Sequence, residues 1–333
     1  MDTVRWGLLS TANINKVLIP PIRASKRGQL VAVASRSQAT ADAYAKKWEI
    51  PQAFGSYEAM LESDKIDAVY LSLPNHLHAE WSIRALQAGK HVLCEKPFAI
   101  SLAEVDAMIA ASRAAGRALA EAFMYRHHPQ TKLAGEWVRS GRLGELCVVR
   151  GVFNFGLPEA RRKPGALDVR LVPEFGGGCL WDVGVYPVSF AQFIMGRPPE
   201  AAAGFQWVGE TGVDETFTAQ MQYSGHRLAQ AASAFRSPFH THIEITGTQG
   251  RLVLTKPFVG LDQGRKMTFF PASGEPEELK VPKKELYLGE VEDMHAAILD
   301  GAMPYISLEE SRNHVRTILA LYESARTGQV VHL

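Results

Sequence analysis

Three cysteines in 333 residues, Cys94, Cys147 and Cys179, are too few and too widely spaced to build a disulfide framework. They include no Cys-x-x-Cys pair, so a metal knuckle is not expected, and a sparse odd set fits a reducing cytoplasm. No apolar run approaches the ~20 residues needed to span a bilayer, and no membrane partner is expected. The start, Met1-Asp2-Thr3-Val4-Arg5-Trp6, lacks a basic region followed by an apolar stretch, which predicts no signal peptide. An excess of charge is missing too. Lys and Arg number 36 against 35 Asp and Glu, for a net charge of +1, so there is no electrostatic basis for binding nucleic acid. Internal repeats and low-complexity tracts are absent. What is present is a chain with 46% hydrophobic residues, long enough for two domains with a sizeable core.

Residues 1–124 alternate between short apolar runs and helical spacing, which predicts a parallel sheet in a doubly wound α/β domain. The strands are read at Val4 to Leu9, Leu30 to Ala34, Ile66 to Leu73, His91 to Cys94 and Ala118 to Phe123. Helical segments include Asn13 to Ala24, which Pro20-Pro21 should bend or interrupt, and Ser37 to Trp48 with Ser37 as its cap. Another ends at Gly89, and one opens on the capping box Ser101-Leu102-Ala103-Glu104. The rhythm changes after about residue 125. Residues 125–333 read as a second, α+β domain on a large, mostly antiparallel sheet. It has a long strand at Leu146 to Phe155, a basic loop at Pro158 to Pro173, and a helical segment at Leu180 to Met195 after Gly176-Gly177-Gly178. Several strands follow from Ala201 to Phe258, then a polar, loop-rich stretch at Gly260 to Glu285 and helices at Glu290 to Leu299 and Ser307 to Thr327.

The turn Ser10-Thr11-Ala12-Asn13-Ile14-Asn15 joins the first strand to the first helix. A dinucleotide site needs small residues there, because the backbone must approach a pyrophosphate held at a helix N-terminus. Ser10, Ala12 and Asn15 stand at the usual glycine positions, so the fingerprint is degenerate, and an ordinary tight turn would read the same way. The end of the second strand is more informative. NAD sites usually place an acid there, whereas Ser35-Arg36-Ser37 offers a guanidinium and hydroxyls suited to a 2′-phosphate. NADP is therefore the expected cofactor, with NAD as the alternative.

Glu95-Lys96-Pro97 follows the His91 to Cys94 strand, at the carboxyl edge of the sheet where open α/β folds bind ligands. A lysine there can hold its charge near a reacting hydroxyl, and proline fixes the backbone around it. Upstream lie Leu73-Pro74-Asn75-His76-Leu77-His78, a helix, and Ala88-Gly89-Lys90-His91-Val92-Leu93-Cys94. This whole run resembles the Gfo/Idh/MocA family, named for glucose–fructose oxidoreductase and inositol dehydrogenase, and the resemblance extends over essentially the full chain. It implies an N-terminal Rossmann domain, a C-terminal α/β domain with a large open sheet, NAD or NADP, and a sugar, polyol or similar hydroxyl substrate. It also implies assembly through the sheet face, as a homodimer or homotetramer. By resemblance Lys96 is the catalytic lysine, and Leu73, Pro74, Asn75, His78 and Glu95 line the cofactor site. Without it, His76 and His78 would read as solvated residues at a helix start.

The second cluster is Gly176-Gly177-Gly178-Cys179-Leu180-Trp181-Asp182-Val183-Gly184-Val185-Tyr186-Pro187. Asp182 and Tyr186 stand at i and i+4, on one face of a helix. Many family members carry histidine at the second position. Tyrosine resembles the branch containing dimeric dihydrodiol dehydrogenase and several aldose dehydrogenases, where it is taken as the acid/base. A free phenol, with pKa ~10, is a poor base at neutral pH, but a neighbouring ammonium from Lys96 would lower it. Asp182 would orient the substrate or Lys96. Arg126 could face the nicotinamide or make a salt bridge, and Trp181 could pack on a ligand or in the core. Arg161-Arg162-Lys163 could meet a phosphorylated substrate or simply be solvated. The alternatives to a sugar, polyol or cyclic-diol dehydrogenase are a nucleotide-sugar ketoreductase and a non-catalytic cofactor-binding regulator.

Overall fold

The computed structural model describes residues 2–163, 165–260 and 264–333. They form two compact units, Met1–Met124 with Tyr287–Arg312, and Tyr125–Leu286 with Asn313–Leu333.

In the first unit, β1 (Val4–Leu8), β2 (Gly28–Ala34), β3 (Gln52–Phe54), β4 (Ala68–Leu71), β5 (His91–Glu95) and β6 (Leu119–Ala122) make a parallel sheet in the order β3-β2-β1-β4-β5-β6. The connecting helices are α1 (Asn15–Ala24), α2 (Gln38–Trp48), α3 (Tyr57–Leu61), α4 (His78–Gln87) and α5 (Leu102–Ala115). The strand order reverses between β1 and β4, which opens a crevice at their carboxyl ends. Strands covered on both sides should be continuously apolar, and β4, Ala68-Val69-Tyr70-Leu71, is buried throughout.

Three expectations change here. Of the bend or interruption expected at Pro20-Pro21, the interruption does not occur: α1 continues through both, its end is closed by the Ser25 N–H donating to the Pro21 carbonyl, and Pro21 is buried. Ser37 stands at the N-cap of α2 in extended conformation but accepts no capping bond. The segment 287–312, read from sequence order as part of the second domain, folds with the first unit. The physical reason is burial. Helix α8 (Leu288–Leu299) inserts Val291 and Met294 into the core formed by Val4, Trp6 and Leu18, and Trp6 Nε1 donates to His295 Nε2 at 2.9 Å.

The second unit holds α6 (Pro129–Arg139), β7 (Leu146–Gly156) and α7 (Val185–Met195). These are followed by β8 (Ala201–Val208), β9 (Asp214–Tyr223), β10 (Arg227–Ala234), β11 (Arg236–Gly247), β12 (Gly250–Thr255), β13 (Met267–Pro271), β14 (Glu277–Glu278) and β15 (Val331–His332). Their order is β14-β13-β12-β11-β7-β10-β9-β8-β15. Among the described residues only the β7–β10 pairing of this sheet is parallel, so the sheet is mostly antiparallel, as the sequence suggests. The stretch 260–285, expected to be polar and loop-rich, also contributes β13 and β14 at the sheet's edge; β13 pairs with β12 from Gly250↔Pro271 to Leu254↔Met267. One face of the sheet is packed and the other faces outward, mixing polar residues with exposed Phe205, Trp207 and Leu228. On β9, Phe217, Ala219, Met221 and Tyr223 are buried, while Thr218, Gln220 and Gln222 alternate with them outward. On that outer face Arg150 binds Gln230 and Glu244 across neighbouring strands. The helix α9 (Leu308–Thr327) opens with the Ser307 hydroxyl accepting from the Glu310 N–H, and Gly328 follows it at positive φ.

Candidate active site

The predicted residues fall on both units, and the crevice of the first is built from neutral hydrogen bonds. Ser10 follows β1 and Ser72 follows β4, one on each side of the reversal in strand order. Their hydroxyls meet at 2.7 Å, and Ser72 Oγ also donates to Asn15 Oδ1 at 2.7 Å. Asn15 Nδ2 returns a bond to the Ser10 carbonyl at 2.8 Å, and Ser10 Oγ accepts from the Ala12 N–H at 3.0 Å. This network explains why serine and asparagine replace glycines: the side chains tie the turn down instead of clearing space. Thr11, Ala12 and Ile14 are partly exposed, and Asn13 is exposed.

This turn fits a dinucleotide. The first turn of α1 carries no acidic residue, and no side chain caps it, so its N–H groups suit an anion. Ser35 is buried at the end of β2. Arg36 is exposed, and its guanidinium makes no ion pair among the described residues.

The Leu73–His78 run and Glu95-Lys96-Pro97 are brought together by His78. Its ring is fully buried, with Nδ1 2.7 Å from the Pro97 carbonyl and Nε2 2.8 Å from the Leu73 carbonyl. Burial pulls its pKa down to about 4, although both carbonyls favour the charged ring. The neutral ring donates to one of these carbonyls and packs against the other, so it lies buried between the two loops and is not a solvated helix start. The Lys96–Pro97 bond is cis. Tyr70 donates its hydroxyl to Glu95 Oε1, and Glu95 Oε2 accepts the Lys96 N–H at 3.2 Å. Glu121 Oε1 receives the Phe98 N–H at 3.0 Å. Lys96, Pro74, Asn75 and His76 are partly exposed along this edge.

In the second unit, Asp182 lies in a π-helical turn, Leu180–Gly184, that leads directly into α7 and Tyr186. Single π turns inside helices concentrate at functional sites. Tyr186 is 6% exposed, in an aromatic cluster with Tyr125, Phe153 and Phe258 at ring separations of 5.8, 5.3 and 5.4 Å. The start of the π turn is anchored by Asp214, a buried carboxylate on β9. It accepts from the Leu180 N–H at 2.8 Å, from the Tyr322 hydroxyl at 2.7 Å and from the Cys179 thiol at 3.1 Å. Burial raises the Asp214 pKa and outweighs these donors. Gly178, at φ 120°, has room for no side chain, because a Cβ would stand 2.0 Å from Asp214 Oδ1.

The remaining candidates separate cleanly. Trp181 is buried 5.7 Å from the Tyr322 ring, which makes it core. Arg126 is 2% exposed with its guanidinium 4.2 Å from the Phe193 ring of α7. The basic loop is largely committed. Arg161 pairs with Asp168 at 2.8 Å, and Arg162 pairs with buried Glu215 at 2.5 Å and donates to the Leu157 and Phe235 carbonyls. Only Lys163 of the three is left as a solvated charge. Sequence reading missed Arg170, whose Nε lies 2.9 Å from Asp182 Oδ2. Among the described residues, no group of His, Cys, Asp and Glu could hold a metal ion, and no helix is long and apolar enough to cross a membrane.

Comparison with known proteins identifies both halves. Residues 4–123 match the oxidoreductase family with the NAD-binding Rossmann fold, and residues 131–253 match the GFO/IDH/MocA C-terminal domain. The chain is similar to D-xylose 1-dehydrogenase (NADP(+)) 2 of Haloferax volcanii, with 39% identity over 98% of this chain and 99% of that one. It is 33% identical to trans-1,2-dihydrobenzene-1,2-diol dehydrogenase of Danio rerio, over 75% and 73% of the two chains. Its fold is similar to that of a 3-ketoreductase from Actinomadura kijaniata solved with NADP and TDP-benzene, with a TM-score of 0.89, 28% identity, and coverage of 97% and 98%.

Proposed function

The chain belongs to the Gfo/Idh/MocA oxidoreductases, and from that premise we propose that it is an NADP-dependent dehydrogenase interconverting a hydroxyl and a carbonyl on a sugar, with free aldoses as the favoured class. NADP, when bound, supplies the hydride acceptor or donor. Ser10 to Ile14 and the start of α1 hold its pyrophosphate. Arg36, with Ser35 beside it, would hold the 2′-phosphate, and Leu73, Pro74, Asn75 and Glu95 would complete the cofactor surface, with buried His78 bracing it from behind and buried Arg126 packed on Phe193. In oxidation Tyr186 takes the hydroxyl proton, and in reduction it returns it. Lys96 supplies the positive charge that favours the ionised phenol and the developing alkoxide. Asp182 orients the substrate hydroxyls.

The observation that carries this reading is the Asp182–Tyr186 turn. A tyrosine with almost no exposed surface stands one turn beyond a partly exposed carboxylate, on a backbone irregularity anchored by buried Asp214. A regulator that only bound cofactor would have no use for that arrangement. The nucleotide-sugar reading draws on the ketoreductase likeness, but the commitment of Arg161 and Arg162 to internal carboxylates removes its main local support. The outer sheet face, where Phe205, Trp207 and Leu228 are exposed, is the surface we assign to self-association. The test is a substrate panel of free aldoses, polyols, cyclic diols and nucleotide-linked sugars with both cofactors, followed by reduced-nicotinamide absorbance. Turnover of free aldoses with NADP is expected. Turnover confined to nucleotide-linked sugars would replace this reading, and cofactor binding without turnover on any substrate would reject it.

A further inference from the structure

Arg170 lies in the turn between β7 and the glycine run, and it grips that run at two points. Its carbonyl accepts the Gly178 N–H at 2.9 Å, and its side chain reaches Asp182, with Nε 2.9 Å from Oδ2. The approach is close enough to dictate sequence. A Cβ on Gly177 would stand 2.6 Å from the Arg170 carbonyl oxygen, so only glycine fits.

The other side of the guanidinium is set by Asp168. Nη1 lies 3.3 Å from both oxygens of that carboxylate, whose side chain is 3% exposed. Asp168 also accepts from Arg161 Nη1 at 2.8 Å and from the Arg170 N–H at 3.1 Å. Charges therefore alternate along Arg161, Asp168, Arg170 and Asp182. The Asp168 charge is answered by Arg161, which leaves the positive charge of Arg170 to answer Asp182. The π face of Phe155, 5.8 Å from the guanidinium, adds a flat wall. A planar guanidinium held on several sides has one orientation. Fixing Oδ2 of Asp182 by a charge-assisted bond fixes the position of Oδ1 as well. Asp182 is also the largest influence raising the affinity of Arg170 for its proton, and Tyr186 contributes in the same direction.

We propose that Arg170 is a positioning residue of the reaction, acting through Asp182 by setting the direction and negative charge of the carboxylate that receives the substrate hydroxyls. This rests on the reading of Asp182 given above, and the experiment separates the two.

The kinetic constants are measured for the wild type, Arg170→Met, Asp182→Asn and the double variant, with the preferred sugar and NADP. Asp182→Asn is expected to lower kcat/KM by at least about a hundredfold, and Arg170→Met by about tenfold to a hundredfold, chiefly through the KM for sugar. The double variant should be no worse than Asp182→Asn, because an effect exerted through Asp182 vanishes once that charge is gone. Arg170→Lys should recover part of the loss, since it keeps the charge without the planar fork. It replaces Arg170→Met in the cycle if the latter does not fold. Multiplying losses in the double variant, or an unaltered Arg170→Met beside an impaired Asp182→Asn, would overturn the role of Arg170 alone. An unaltered Asp182→Asn would overturn the underlying reading and this inference with it.

Discussion

The Glu95-Lys96-Pro97 edge and the Asp182–Tyr186 turn hold their proposed catalytic side chains by different physical means. In the first unit the crevice is braced by neutral groups, and the carboxylates of Glu95 and Glu121 accept from Tyr70, Lys96 and Phe98 at its edge. Ser10, Ser72 and Asn15 bond one another across the reversal in strand order, and His78 spans two loop carbonyls. In the second unit the bracing is ionic and aromatic. Asp214 takes three donors at the start of the π turn, Arg170 pairs with Asp182, and three aromatic rings surround Tyr186. Neutral networks give position without a strong local field, which suits a surface over which a cofactor is laid. Fixed charges give direction to a carboxylate, which suits the role proposed for Asp182.

The comparison can be broken at several points. The largest effect is expected at Lys96, the charge of the first unit proposed to act on the reacting hydroxyl. Lys96→Ala should lower kcat by about 10²- to 10⁴-fold with an unchanged melting temperature, measured by steady-state kinetics and thermal unfolding. A melting temperature that falls with the activity would make Lys96 a brace like its neighbours.

Next is Asp214. Asp214→Ala leaves the Leu180 N–H, the Tyr322 hydroxyl and the Cys179 thiol without their acceptor, and should cost about 2–4 kcal/mol in urea unfolding. In the first unit, Ser72→Ala removes neutral bonds and should cost about 1 kcal/mol. Equal costs would erase the contrast between the two kinds of bracing.

Acid acts on both units in the same direction. Burial lowers His78 and His91 in the first unit to about 4, and His127 in the second to about 3, from 6.5. Each is neutral when folded, while the unfolded chain protonates below pH 6.5. Their contribution to stability is whole above 6.5 and is lost as the pH falls through the folded values, at up to about 1.4 kcal/mol per pH unit for each histidine. His91 Nδ1 accepts the Ala118 N–H at 2.9 Å, a bond that protonation abolishes. His91→Asn should therefore flatten the pH dependence of unfolding between pH 6.5 and 4. An unchanged slope would show that His91 does not contribute.

The smallest effect is at the cofactor's edge. Arg36→Ala should raise the KM for NADP about tenfold while leaving that for NAD nearly unaltered. Equal losses would remove the basis for preferring NADP.

Much of this was readable in the chain before its fold was known, for definite reasons. Buried parallel strands leave continuous apolar runs, as at Ala68–Leu71, and capping boxes leave a fixed spacing, as at Ser101 and Glu104. Glycines forced by close backbone approach mark the run before Asp182. Other features left no local trace. The three-residue edge strand Gln52–Phe54 is too short to show a period. Helix α8 returns to the first unit through Val291 and Met294, contacts that sequence order conceals. Tyr322 and Asp214 are bonded 108 residues apart. Arg161, Arg162 and Arg170 all read as charges in a polar loop. Their acidic partners, Asp168, Glu215 and Asp182, become visible only when the loop is folded.

The assignment of the proton to Tyr186 is tested most directly by Tyr186→Phe, assayed for sugar oxidation beside a titration of NADPH binding by fluorescence. Turnover should fall by about 10²- to 10⁴-fold while the NADPH dissociation constant stays within about twofold of the wild type. Turnover retained at the wild-type rate would contradict it, because the ring would then be packing alone and the proton would be carried elsewhere.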